Sequence, residues 1–201
     1  MPRRVLVGAI AVEREGLAGV RIREVSSSAE LCIDVLDPQG CTYKLYTHTH
    51  ENHYPSNPPG DAFSPAGPRR VAPGDSMSLP PFFVRAVHAY NREDLERAPR
   101  HRRGEGVGYI VYHGDYSIYH VGDSDLIPEM ASLRSLEIDV MLVPVGGGSV
   151  MEPEEALEAV KTVRPSVAVP IHYWNLRDAE RFKLLSHPYS QVILLASRSS
   201  P

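Results

Sequence analysis

The stretch YTHTHENHYP at residues 46–55 constrains this chain more than any other. It sets four metal-capable side chains, His48, His50, Asn52 and His53, within six positions. A lone histidine on a strand is usually a satisfied structural residue, and a solvated polar turn could hold several. Such a turn would have to gather three imidazoles by accident, whereas zinc and iron take imidazole readily. His48 and His50 stand two apart at the end of an expected strand, TYKLYTH (42–48), so the pleat should project them to one side. A metal centre also needs donors from remote parts of the chain, which requires a fold that brings several strand ends to one edge. HVGDSD (120–125) offers Asp123 at one such end, and VPIHYW (169–174) offers His172 at another. Asp123 could equally cap a turn and His172 a strand end, but their recurrence at strand C-termini favours one convergent site.

The remaining pattern is compatible with such a fold. VRIREV (20–25) and ELCIDVLD (30–37) flank SSSA as a hairpin would, and strand-like runs resume at 82–90, 107–114, 116–123, 139–145, 167–173 and 191–197. Between the later runs lie helical patterns. PEEALEAVKTV (153–163) opens with proline and two glutamates and carries lysine near its end, which suits the helix dipole; DAERFKLLS (178–186) has Asp178 as its expected cap. Residues 54–81 hold eight prolines in 28 positions, too many for a helix or a central strand, and predict a long loop or lid. Strands in the first half and strand–helix alternation in the second predict sheets with helices packed outside them.

Composition narrows the class. The 201 residues, 42% hydrophobic and 23% charged, suit one globular domain spanning 1–201. A net charge of −4 argues against a nucleic-acid-coating protein. The segment REDLERAPRHRR (92–103) carries five arginines against three acids; it reads as a solvated loop that could also make one rim of a cleft positive. Cys32 and Cys41 form no CxxC motif, so disulfides and thiolate clusters are expected to contribute little, and a reducing compartment is the simplest reading. MPRRVLVGAIAVERE resembles a minimal signal peptide, but its alternation favours a buried first strand over Val5 to Val12. No stretch approaches the ~20 apolar residues of a membrane span, and the expected location is cytoplasmic.

Four segments, in order, resemble the metallo-β-lactamase fold superfamily, and in particular its small, single-domain metal-dependent hydrolases. HTHENH is similar to the HxHxDH signature with Asn52 in the aspartate position, and GVGYIVYHGDYSIYHVGDSDLIPEM, LVPVGGGSVMEPEEA and VAVPIHY resemble later segments of that family. The likeness runs from about Tyr46 to the C-terminus; before it, Asp37-Pro38 is a weak anchor. The resemblance implies an α/β fold, a four-layer αββα sandwich. It implies His48 and His50 as ligands of a first metal, Asp123 as a bridging and catalytic carboxylate, and His53, His172 and the residue at Asn52 on a second metal. For the third histidine of the first site, His88 and His101 both precede the GVGYIV strand. His101, next to a glycine-containing turn, fits the family's placement better, while His88 lies within a strand pattern. His120 reads as a core residue or a support to the ligands, and PVGGGSV (144–150) as a glycine-rich turn beside the site or simply a tight turn.

The implied activity is metal-assisted hydrolysis of an ester, lactone, amide or phosphodiester, which implies a small-molecule substrate as the partner, with one or two zinc ions as cofactor and manganese or iron as alternatives. Iron redox versions of the fold usually carry an acid in place of the second histidine; His50 is retained here, which favours hydrolysis. Asn52 is the departure. An amide oxygen is a weaker ligand than carboxylate and cannot act as a base, so a one-metal enzyme or an attenuated binding protein is the competing expectation.

Overall fold

A computed structural model describes residues 1–94 and 100–198; residues 95–99 of the arginine-rich segment lie outside them. Two seven-stranded sheets form in chain order. The first contains β1 (Arg4–Val7), β2 (Ile10–Glu15), β3 (Gly19–Glu24), β4 (Glu30–Ile33), β5 (Tyr43–Leu45), β6 (Phe63–Ser64) and β7 (Arg69–Arg70). The second contains β8 (Ser76–Leu79), β9 (Phe82–Ala89), β10 (Gly106–His113), β11 (Tyr116–His120), β12 (Val140–Pro144), β13 (Val167–Ile171) and β14 (Gln191–Val192). A 3-10 helix (Pro128–Leu136), α1 (Pro153–Val163) and α2 (Leu176–Ser186) connect the parallel strands β11 to β14. Parallel neighbours need long crossovers, and these helices supply them.

Side-chain alternation separates two cores. Ile10, Val12, Val20, Ile22, Leu31 and Ile33 face Val84, Tyr109, Val111, Leu142 and Val169 between the sheets. On the other side of the second sheet, Ile110, Met141 and Val143 pack beneath Met130, Ala156, Val160, Ala179 and Phe182 of the three helices. Strand β12 is buried on both faces, as expected of a central parallel strand, and its five residues VMLVP are correspondingly apolar. The two sheets thus pack face to face as a sandwich with flanking helices. Among the described residues all the helices lie on the second sheet. The outer face of the first instead carries an ionic lattice, with Arg21 between Glu15 (2.5 Å) and Glu30 (2.7 Å) and Arg23 on Glu30 (2.9 Å).

Several local expectations need correction. The apolar run Val5 to Val12 is not one buried strand: it reverses at Gly8 into β1 and β2, and Leu6 is exposed. Helix α2 begins earlier than expected, because Asn175 rather than Asp178 is its cap and accepts from the Arg177 N–H at 3.0 Å. The proline-rich stretch is interrupted by the short strands β6, β7 and β8. Cys32 on β4 and Cys41 in the loop after it are joined in a disulfide, where disulfides were expected to contribute little. No helix among the described residues is long and apolar enough to cross a membrane.

Strand direction places the site. The C-terminal ends of the parallel strands β11 and β13 point to one edge of the second sheet. Antiparallel pairing of β10 with β9 (Gly106 with Ala89) and with β11 (Tyr109 with His120) brings the entrance of β10 and the exit of β9 to that edge. The exit of β5 is tied there by the Val107 N–H, which donates to the Thr47 carbonyl at 2.9 Å. Open α/β sheets bind ligands beyond the carboxyl ends of such strands.

Candidate metal centre

Asp123 is the hub of this edge. Its carboxylate lies 3.2 Å from His172 Nε2, 3.4 Å from His53 Nε2, 3.5 Å from His101 Nε2 and 3.8 Å from His48 Nε2. His50 joins through its Nδ1, which is 3.0 Å from His101 Nε2. The backbone is shaped for this convergence. Gly122, with φ of 73°, turns the chain after β11, and a Cβ there would stand 2.8 Å from the Val107 carbonyl. A Cβ on Gly146 would stand 2.3 Å from the His172 carbonyl, so the glycine-rich segment permits close approach of the turn that carries His172. The Gly147 amide is used within that turn, donating to Met151 at 3.0 Å.

The histidine cluster is not held by strand periodicity as expected. Strand β5 ends at Leu45, and His48 and His50 lie in the following loop with their rings 4.7 Å apart in a T-shaped contact. A tight turn then returns His53, whose N–H donates to the His50 carbonyl at 2.9 Å. His48, His53 and His172 are buried and His50 is exposed. Asn52 is also exposed and lines the same cavity as Asp123 and His172, a cleft of about 420 Å³. His101 enters the cluster from the turn before β10. His88 does not; it lines a separate cavity of about 230 Å³ with Tyr119 and Glu129. His120 is fully buried and accepts from the Gly122 N–H, while its Nε2 faces the Ala18 carbonyl at 3.0 Å.

Three supporting residues, Asp34, Thr47 and Asn91, went unread in the sequence. Asp34, buried and held at φ of 54°, accepts from the Thr47 N–H at 2.7 Å and the Thr47 hydroxyl at 2.6 Å, and it lies 2.8 Å from His53 Nδ1. Having donated its proton to Asp34, the Thr47 hydroxyl can only accept from His48 Nδ1, 3.0 Å away. Asp34 therefore sets the tautomers of both His53 and His48, leaving each Nε2 directed at the centre. Asn91 does the same for His101: its Oδ1 lies 3.1 Å from His101 Nδ1, while its amide donates to Asp125 and to the Ser149 carbonyl. The available signal for Asp34 was an acid closing an apolar strand in ELCID.

Electrostatics follow from burial and the two carboxylates. Burial, reinforced by His53, pushes the His48 imidazole down to about 3, and burial pushes His101 down to about 4. Burial also opposes charge on His53, but Asp123 and Asp34 on its two sides outweigh it and push the ring up to about 9. Desolvation works against the Asp123 carboxylate as well, yet His53, His172 and His48 hold it well below the usual carboxylate range. Within the cluster, His48 Nε2, His53 Nε2 and Asp123 Oδ1 are buried without any hydrogen-bond partner. Orphaned buried polar atoms are rare in folded proteins, and here three of them face one another. Potential ligand atoms of His48, His53 and Asp123, and likewise of His48, His50 and His101, lie within 4.8 Å of one another. The donor set of imidazole and carboxylate fits a divalent transition ion.

The family model described as "Beta-lactamase superfamily domain" matches residues 36–172. A UPF0173 metal-dependent hydrolase of Desulforamulus reducens is 37% identical over 117 residues, covering 55% of this chain and 51% of the relative. The chain thus spans about half the length of that relative. A UPF0173 protein of Pyrococcus furiosus is 31% identical over 161 residues, covering 70% of this chain and 71% of the relative. Among solved structures, one from Parabacteroides distasonis superposes with a TM-score of 0.78 at 20% identity, covering 94% of each chain. Igni18, a metallo hydrolase of Ignicoccus hospitalis, gives 0.72 at 21% identity, covering 92% of this chain and 94% of its own. These likenesses establish the metallo-β-lactamase fold, and the two-sheet sandwich, the cluster at its edge and the match over residues 36–172 together make the chain a member of the beta-lactamase superfamily domain family.

Proposed function

We propose that the protein is a metal-dependent hydrolase acting on a small ester, lactone, amide or phosphodiester. The observation that carries this reading is the set of buried, unpartnered ligand atoms on His48, His53 and Asp123 facing one another at the sheet edge. His48, His50 and His101 would hold a first ion, and His53 and His172 with Asn52 would offer a second position, with the Asp123 carboxylate within reach of both sets. Zinc is the ion the nitrogen-rich donor set suits best, with manganese or iron as substitutes. When bound, such an ion supplies Lewis acidity and draws the pKa of a water toward ~7.

The chain's own residues do the rest. Asp123 is the proposed catalytic carboxylate: its charge, kept by the imidazoles around it, would secure the ion and orient the water. Asp34 through Thr47 and His53, and Asn91 through His101, hold the ligands in register. A second reading has one specific support. Asn52 is an amide and exposed, so the second position is weaker than the first and the enzyme can work with a single ion.

Chelation is the test. Protein stripped with a strong chelator should lose hydrolysis across a panel of small esters, lactones and phosphodiesters, and Zn²⁺, Mn²⁺ or Fe²⁺ should restore it. Metal-loaded protein inert across the panel would leave a binding role instead.

A further inference from the structure

The cleft that Asp123 lines also carries two side chains outside the proposed ligand set, Arg100 and Trp174. Arg100 stands next to His101, and its backbone is fixed because its N–H donates to Asn91 Oδ1 at 3.1 Å. Other arginines of the same segment are paired, Arg92 with Asp94 at 2.5 Å and Arg103 with Glu129 at 2.6 Å. The Arg100 guanidinium makes no ion pair among the described residues, and it lines both this cleft and the adjoining cavity on the His50–His101 side, which Arg70 also lines.

Trp174 lines the same cleft and is 66% exposed. Single exposed aromatics are ordinary on protein surfaces, so exposure alone decides nothing. Its setting does. His172 takes a left-handed turn with φ of 50°, and Tyr173 then folds inward beneath the Arg14 guanidinium, 4.2 Å from its ring. Asn175 immediately caps α2. Both neighbours are anchored, so the indole is presented at the mouth by a constrained backbone rather than by a loose loop.

We propose that the substrate is an anion with a flat face: Arg100 takes its carboxylate or phosphate, and Trp174 stacks on the planar part while the scissile group lies at Asp123. The proposal rests on the hydrolytic reading of the centre, and it names the class of substrate. A cleft of about 420 Å³ is of the size that holds a small ligand. An arginine without a carboxylate partner is the side chain best suited to a two-oxygen anion, and an indole is the strongest stacking platform among side chains.

Trp174 is the one tryptophan in the chain, so its fluorescence reports binding directly, without turnover. Zinc-loaded protein would be titrated with benzoate, phenyl phosphate and neutral benzamide. Both anions should quench Trp174 and bind more tightly than benzamide; the tighter of the two identifies the anionic group. Arg100→Gln should weaken the anions by about tenfold or more, the scale of one charge-assisted pair, and leave benzamide unchanged. Arg100→Lys should recover part of the loss. By calorimetry, Trp174→Ala should weaken all three ring compounds and leave acetate unaffected. Anion affinity unchanged in Arg100→Gln would mean the anion binds only the metal, and would overturn the proposal. So would benzamide binding as tightly as benzoate. Because no reaction is measured, failure here would be distinct from absence of hydrolysis.

Discussion

Asp123→Asn should lower kcat/KM for any hydrolysed substrate by about 10³-fold or more, equivalent to ~4 kcal/mol of transition-state stabilisation. The substitution keeps shape but turns one acceptor oxygen into a donor and removes one negative charge from a buried position facing four imidazoles. A dication placed among neutral rings loses its shared anionic ligand, so zinc affinity should fall together with activity. The fold should survive, since Asp123 lies at a strand exit and outside both apolar cores. Thermal melts of zinc-free wild type and variant would check this. A variant that keeps activity within tenfold of the wild type would show that the reaction occurs elsewhere.

His101→Ala should weaken zinc binding by about 10²-fold or more, whereas His88→Ala should leave it unchanged. Even residues that only support a ligand cost 10–100-fold when removed, and a direct ligand should cost at least the upper end of that range. His101 is buried, with Nε2 3.5 Å from Asp123 and its other nitrogen fixed by Asn91. His88 sits in the Tyr119–Glu129 cavity and faces no member of the cluster. Removing a buried ring also opens a void, so His101→Gln, which fills much of it, would separate lost ligation from lost packing. Equal losses at His88 and His101 would reverse the assignment.

The strands and helices of the second sheet were legible because their signals are local. Unbroken apolar runs such as VMLVP, separated by an amphipathic stretch with proline at its start, leave few alternatives to parallel strands with helical crossovers. The outer face of the first sheet was not legible in that way. Arg21 lies 6 residues from Glu15 and 9 from Glu30 along the chain, and only strand register shows the three meeting. The Cys32–Cys41 disulfide likewise depends on how residues 34–41 loop back, which spacing alone does not dictate. In the candidate site, His48, His50 and His53 stood out because imidazole-rich motifs are rare, and His101, Asp123 and His172 through the later segments that resemble the family. Asp34, Thr47 and Asn91 were not, since each is an ordinary residue made important only by the nitrogen it faces.

The most direct test of the centre is a calorimetric zinc titration of stripped protein, run in parallel on the wild type and Asn52→Asp. The wild type should take up one zinc ion tightly and a second more weakly, because an exposed amide replaces a charged ligand at the second position. Asn52→Asp should strengthen the second step and leave the first unchanged. Two equally tight ions in the wild type, with no gain in the variant, would remove Asn52 from the account; no tightly bound zinc in the wild type would contradict the metal centre itself.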